Sequence, residues 1–455
     1  MIPQALSRIA GGLLAGVALA GPGLLLAQES PGGQLLNNAS YTVEAYGAAF
    51  RKSYPDASRR IDDKALESWN RFQAESKTGL GRDVDFSFKG YGVISTQEDE
   101  RRGVFSDPGY RSERPRFVDV SEAKFRWAQE GFDASAGKIL HNVGLSNLYS
   151  PANRFNNADA SNPMHPIETG VWSARADIFV GDDTLAAAVI PWQDRTGAPP
   201  RSSRWFGTTG SYNFSTIDTN LLGLGSNATL DIRDEFARTK PGNYGYFAHY
   251  RGSRPGVDFF GLAHIGPSIY PVLRRERAGS TRFIAETPRA FTAAGGLSTT
   301  QGSWSYYGEA SFQNTYDRKD QDFAKYVIGA SYRETEWAEA LGLEEIMPIV
   351  EYAGEGIFGR QAGELYVADS RGARPGRKTI LARLSLRQTD RLSYAVGGSR
   401  NLEARDFGWS AGVEYKLTDS LKLRGDARLF SGRDNTEFGR WARNDHVEIG
   451  VVYKF

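Results

Sequence analysis

From about residue 68 to the carboxy terminus, apolar and polar side chains alternate with a period of two in short runs, broken by clusters of Gly, Asp, Asn, Ser and Pro. Successive side chains on a β-strand point to opposite faces, so each run predicts a strand with one apolar and one polar face. In the last run Val447, Ile449, Val451, Tyr453 and Phe455 share one face, and His446, Glu448, Gly450 and Lys454 share the other. The run before it sets Leu421, Leu423, Gly425, Ala427 and Leu429 against Lys422, Arg424, Asp426 and Arg428. Runs around Trp409, Leu392, Ile380, Ala324, Trp304, Ala123 and Val84 follow the same rule, many ending in Tyr, Trp or Phe. Charges at every second position exclude strands buried on both faces, but alternation by itself fits a β-sandwich as well as a barrel. Strand number and the breadth of the pattern decide for the barrel.

The connections fall into two sizes. Tight ones are predicted near 79–83, 129–133, 181–184, 300–303, 388–391 and 417–420, and long polar ones near 97–113, 143–167, 195–204, 356–375 and 431–443. If the last strand ends in the periplasm, strict alternation places every tight turn on the periplasmic side and every long loop outside, the arrangement of outer-membrane barrels. The count is about 18 antiparallel strands, with 16 to 20 admissible, because 205–270 is ambiguous and 40–51 reads either as a strand or as a lead-in. Residues 335–345 predict one short helix across a turn. The fold class is therefore all-β, a transmembrane up-and-down barrel over 68–455 behind a lead-in at 28–67.

The first 27 residues change the setting. Arg8 precedes an uncharged run from Ile9 to Ala27 rich in Leu, Ala and Gly, with small residues at Ala18, Ala20 and Ala27 suited to cleavage, so residues 1–27 read as a signal peptide cut after Ala20 or Ala27. No later stretch reaches the roughly 18 apolar residues that a spanning helix needs. Mean hydropathy is negative, as expected when only alternate residues meet lipid. There is no cysteine, which suits an oxidising export route. With 55 basic and 54 acidic residues the chain carries no global charge that would point to nucleic acid.

The terminal Phe455 behind an alternating strand resembles the carboxy-terminal signature read by the outer-membrane barrel assembly machinery, with Tyr453 beside it. Gly137-Lys138-Ile139 leading into 144–153 (GLSNLYSPAN), and 430–439 (FSGRDNTEFG) before the last strand, resemble large porin-like proteins, a grouping that includes the alginate-export type. The resemblance implies a Gram-negative outer-membrane channel for polar or anionic solutes, with an acidic exopolysaccharide as the cargo in exporters of that kind. It also implies contact with outer-membrane lipid and lipopolysaccharide.

Catalytic chemistry finds little support. The five histidines, His141, His165, His249, His264 and His446, form no H-x-x-x-H pair for zinc, and the sequence around His141 departs from the His-x-Ser order of barrel lipid hydrolases. Gly131 to Lys138 lacks the spacing and the hydroxyl of a phosphate-binding loop. No catalytic residue, metal or cofactor is assigned; a lipid hydrolase and a purely structural barrel remain the competing classes. Residues 150–156 read either as an inward-folded constriction loop or as a plain surface loop.

The face opposite the lipid is the informative one. Its basic members include Lys124, Arg126, Lys138, Arg333, Arg383, Arg387, Arg391, Lys422, Arg424 and Arg428, and they outnumber Asp85, Glu122, Glu309, Glu414, Asp426 and Glu448. A basic lumen would favour anions, although such charges also pair across strands. Removing Phe455 is expected to slow assembly and lower the amount of heat-modifiable barrel in the outer membrane. Undiminished levels after the deletion would remove the assembly reading of the terminus.

Overall fold

Each half-apolar strand needs a neighbour on both edges, because an unpaired edge in lipid leaves amides and carbonyls without partners. Eighteen strands meet that need by pairing side by side, each antiparallel to its neighbours, and the first, Ser40–Phe50, closes on the last, His446–Lys454. The computed structural model describes residues 37–52, 61–62, 64–105, 115–191, 197–207, 223–224, 231–235, 240–363, 365–367 and 374–455, with Leu35. The expected signal peptide lies outside the described residues, as do parts of the predicted loops at 97–113, 195–204 and 356–375.

The segment at 40–51 is thus a wall strand rather than a lead-in, and its seam is sealed by the terminal residue. The Phe455 amide donates to the Tyr41 carbonyl at 3.0 Å, and the Tyr41 amide donates back to Phe455 at 2.8 Å. The Phe455 ring stacks on Tyr41 and Tyr453 at 5.4 and 5.2 Å. The ambiguous 205–270 region supplies the wall strands Gly245–Arg254 and Val257–Pro267.

Registers follow the alternation read from the sequence. Trp409 pairs with Leu429, Val413 with Gly425, and Gly425 with Ile449, all on the outer face. Connections at 80–83, 130–131, 181–182, 255–256, 302–303, 333–344, 388–391 and 417–420 share one rim with the start of the first strand and the end of the last, here the turn rim. The long connections gather on the opposite loop rim. The predicted helix is present but short, Glu336–Ala340.

An eighteen-stranded wall encloses more space than its own side chains fill, and the long connections occupy part of it. Apolar clusters form inside the barrel: Val143, Ala152 and Phe155 pack on Ala188, Phe247, Phe260 and Leu262, and Trp205 packs among Phe50, Phe430 and Trp441. Since the chain has no cysteine, single Asn435→Cys and Asp419→Cys variants report sidedness cleanly. Asn435, exposed on the loop rim, is expected to label with an impermeant maleimide in intact cells, and Asp419, exposed on the turn rim, only after lysis; the opposite pattern would invert the barrel.

Candidate pore constriction and vestibule

The connection between the strands Phe132–Ile139 and Val171–Val180 turns into the lumen. Its course is set by two carboxylates on inward positions of the wall. Glu309, on Trp304–Thr315, accepts from the amides of Leu145 and Ser146, the latter at 2.5 Å, and from the Ser150 hydroxyl at 2.6 Å. Glu351, on Glu345–Gly359, accepts from the amides of Asn147, Leu148 and Tyr149 at 2.9, 2.8 and 2.9 Å, and from the Tyr307 hydroxyl at 2.8 Å. Five successive backbone N–H groups are therefore shared between two buried carboxylates. Charge-assisted bonds of this kind are worth about 1.5–3 kcal/mol each. Gly144 makes the turn possible, because a Cβ there would stand 2.1 Å from the Ser150 hydroxyl that closes on Glu309.

Further along, the same connection reaches the opposite wall. Asn157–Asp159 and Ile167–Thr169 pair as a small hairpin, and in the turn that joins them the His165 ring stacks against both Tyr46 and Trp69, at 4.3 and 5.0 Å. Its Nε2 meets both oxygens of Glu448, at 2.9 and 2.8 Å. Arg101, buried, ties the hairpin to the neighbouring loop through Asp159 at 2.8 Å and Asp99 at 2.7 Å. Residues 150–156 thus belong to an inward-folded constriction loop rather than a surface loop.

Below the hairpin, toward the turn rim, lies a cavity of about 590 Å³ lined by Tyr46, His165, Arg383, Arg387, Glu414, Arg424, Asp426 and Arg428, among others. The structure brings Arg383, Arg387, Arg424 and Arg428, all expected on the inner face, together in one vestibule. Most are paired: Arg424 and Lys422 with Glu414 at 2.8 and 3.0 Å, Arg387 with Glu344 and Glu345 at 3.2 and 3.3 Å, and Arg428 with Glu448 at 3.9 Å. Elsewhere on the inner wall Arg126 meets Asp133 at 2.6 Å and Lys124 meets Glu122. Arg383 faces the cavity and makes no ion pair or side-chain hydrogen bond among the described residues.

Three expected lumen residues stand elsewhere. Lys138 is in step with Phe132, Ala134 and Ala136 on the outer face, beyond a kink at Gly137 whose φ is +139° and whose Cβ would lie 2.1 Å from the Ala123 carbonyl. Arg333 and Arg391 sit in turn-rim connections, Arg333 tied to Glu345 at 3.2 Å. The expected basic majority is also offset by inward acids that the sequence reading missed, among them Glu44, Asp133, Glu345, Glu351 and Glu355. Glu44 was missed because 40–51 read either as a strand or as a lead-in, and Asp133 because it was assigned to the tight turn at 129–133. The other three lie on Glu345–Gly359, where Ile349 and Ala353 also face inward and blur the alternation.

The His141 ring contacts the Ser173 hydroxyl at 3.0 Å, but it is fully buried at the foot of the loop, 5.6 Å from the Phe247 ring. Burial pushes its imidazole down to about 4. Among the described residues the other ring nitrogen has no hydrogen-bond partner, and no carboxylate there orients the ring for proton transfer.

No protein-family model and no curated protein matches the chain. Solved structures similar in fold include OccK8 (OprE) of Pseudomonas aeruginosa, at 9% identity over 92% of this chain and 97% of that one, with a TM-score of 0.48. A BenF-like porin from Pseudomonas fluorescens Pf-5 is similar at 10% identity over 92% and 97%, with a TM-score of 0.47. OmpF of Salmonella typhi is similar at 10% over 92% and 97%, with a TM-score of 0.41. The fold itself rests on the closed eighteen-stranded antiparallel wall described above. At 9–10% identity a shared barrel says nothing about which side chains line this lumen.

Two outcomes test the loop. Glu309→Gln with Glu351→Gln keeps the side-chain shapes but weakens the amide bonds, so open-channel current noise in a planar bilayer should rise; unchanged noise would mean that the clamp does not hold the loop. His141 binds a proton less readily folded than unfolded, so its contribution is complete above pH 6.5 and lost as the pH falls toward 4, on the order of 3 kcal/mol. The temperature of heat modification should fall over that interval, and His141→Gln should flatten the fall. An equally steep fall in the variant would assign the transition to other groups.

Proposed function

We propose that this chain is a diffusion channel of the Gram-negative outer membrane for small polar solutes, with a modest preference for anions. The observation that carries the reading is the loop held across the lumen by Glu309 and Glu351 on one wall and by His165 on the other. A bore narrowed in this way selects by size, and charges lining a narrow bore act more strongly than at an open surface. The vestibule is of small-molecule size. A polysaccharide would have to thread past the doubly anchored loop, which favours small solutes over an exported polymer such as alginate.

Because most lumen cations are neutralised by neighbours, the anion preference rests chiefly on Arg383, with Arg424 and Arg428 as lesser contributors. The loop rim faces outward in this reading, and residues 1–27 serve as the export signal. Reversal potential across a planar bilayer under a potassium chloride gradient tests it. Wild type should favour chloride weakly, Arg383→Glu should shift the preference toward potassium, and Arg424→Glu with Arg428→Glu should shift it further. A wild-type channel that prefers potassium, or variants without effect, would refute the anion preference; no conductance at all would refute the channel.

A further inference from the structure

The outer wall has one sector unlike the rest. A single rung of the barrel carries alanine on six neighbouring strands: Ala134 pairs with Ala176, Ala176 with Ala187, Ala187 with Ala248, Ala248 with Ala263 and Ala263 with Ala293. Trp127 ends the rung at one side and Phe312 at the other. Flanked by Phe125 and Trp127 at one end and by Tyr246, Ile265 and Phe291 on the loop-rim side, these small side chains leave an apolar depression of about 900 Å³ in the membrane-facing surface. On other sectors large side chains such as Trp409, Leu429 and Val447 stand among the small ones.

The upper edge of the depression is basic. Arg289 occupies the next outward position beyond Phe291 toward the loop rim. Its Nη1 donates to the carbonyls of Gly242 and Tyr244 at 2.6 and 3.2 Å, and no carboxylate pairs with it among the described residues. Lys240 is exposed two residues before Gly242, and its ammonium has no partner among the described residues. The Tyr246 hydroxyl donates to the Pro241 carbonyl at 3.2 Å and holds this basic segment over the groove.

We propose that the depression is a specific site for a phosphorylated, multiply acylated glycolipid of the outer leaflet, with acyl chains against the alanine rung and a phosphate against Arg289 and Lys240. A groove without side chains that fill it costs the wall its packing contacts unless chains occupy it. Unpaired cations at the membrane surface attract phosphate, and a guanidinium still offering donors binds it with defined geometry. A second copy is the competing occupant of the groove, and the unpaired cations at its edge favour an anionic lipid over the apolar wall of another barrel. The inference rests on the loop rim facing outward, and not on what the lumen conducts.

The test is native mass spectrometry of the full barrel in zwitterionic detergent, titrated with lipid A and, in parallel, with phosphatidylglycerol and phosphatidylcholine. Wild type should retain one lipid A in preference to either phospholipid. Lys240→Glu with Arg289→Glu should weaken retention about tenfold or more, and Ala248→Trp, which fills the groove from the lipid side without entering the lumen, should weaken it as well. Lipid A retained equally by both variants would overturn the site. So would tighter binding of phosphatidylglycerol than of lipid A, or a lipid-free oligomer abolished by Ala248→Trp, which would give the groove to a second copy. Heat modification checks that both variants fold, and their bilayer conductance should match wild type; a loss of conductance in wild type itself would bear on the channel and leave the lipid result standing.

Discussion

A carboxylate turned inward from a barrel wall and cut off from water has to find donors, or its burial costs several kcal/mol. Glu309 and Glu351 are two such groups, on wall strands separated by one neighbour, and both are buried. The donors they find are the amides of residues 145–149, which in an extended connection have no partners of their own. Each side solves the other's deficit. The result draws a connection into the lumen that would otherwise lie over the rim, and much of the interior depends on that placement. Phe155 comes down on Phe247 and His264 at 5.1 Å each, and the hairpin is carried across to Tyr46, Trp69 and Glu448.

Filling the lumen explains what could and could not be read from the sequence. Where the inner face is lined by polar and charged side chains, as on Leu421–Ser431 and His446–Lys454, these alternate with aliphatic side chains and the strands were legible residue by residue. Where the loop packs against the wall, Phe247, Phe260 and Leu262 face inward and are buried, so both faces are apolar and 205–270 stayed ambiguous. The direction of the loop was not legible at all. Leu145 lies 164 residues from Glu309, and Asn147 lies 204 residues from Glu351, and no local pattern announces a contact at that separation.

The charges teach a related lesson. Period-two registers placed Arg383, Arg387, Arg424 and Arg428 on the inner face, and all four line the vestibule. Their acidic partners were harder to see, because Glu345 and Glu355 lie on a strand whose Pro348 and three late glycines interrupt the pattern. A tally of inward cations therefore overstated the field, and pairing in space reduces it to a few groups with Arg383 foremost. Lys138 was misplaced because no register was read for the strand Phe132–Ile139, on which it stays in step with Ala134 and Ala136.

The central claim is that the anchored connection, not the eighteen-stranded wall, sets the width of the pore. The most direct measurement is single-channel conductance in the presence of neutral polymers of graded size, for the wild type and for a variant lacking residues 144–156. The account predicts a small wild-type conductance with a low polymer cut-off, and a severalfold larger conductance with a higher cut-off once the connection is removed. Equal conductance and equal cut-off in the two barrels would show that the wall alone defines the bore, and would contradict the claim.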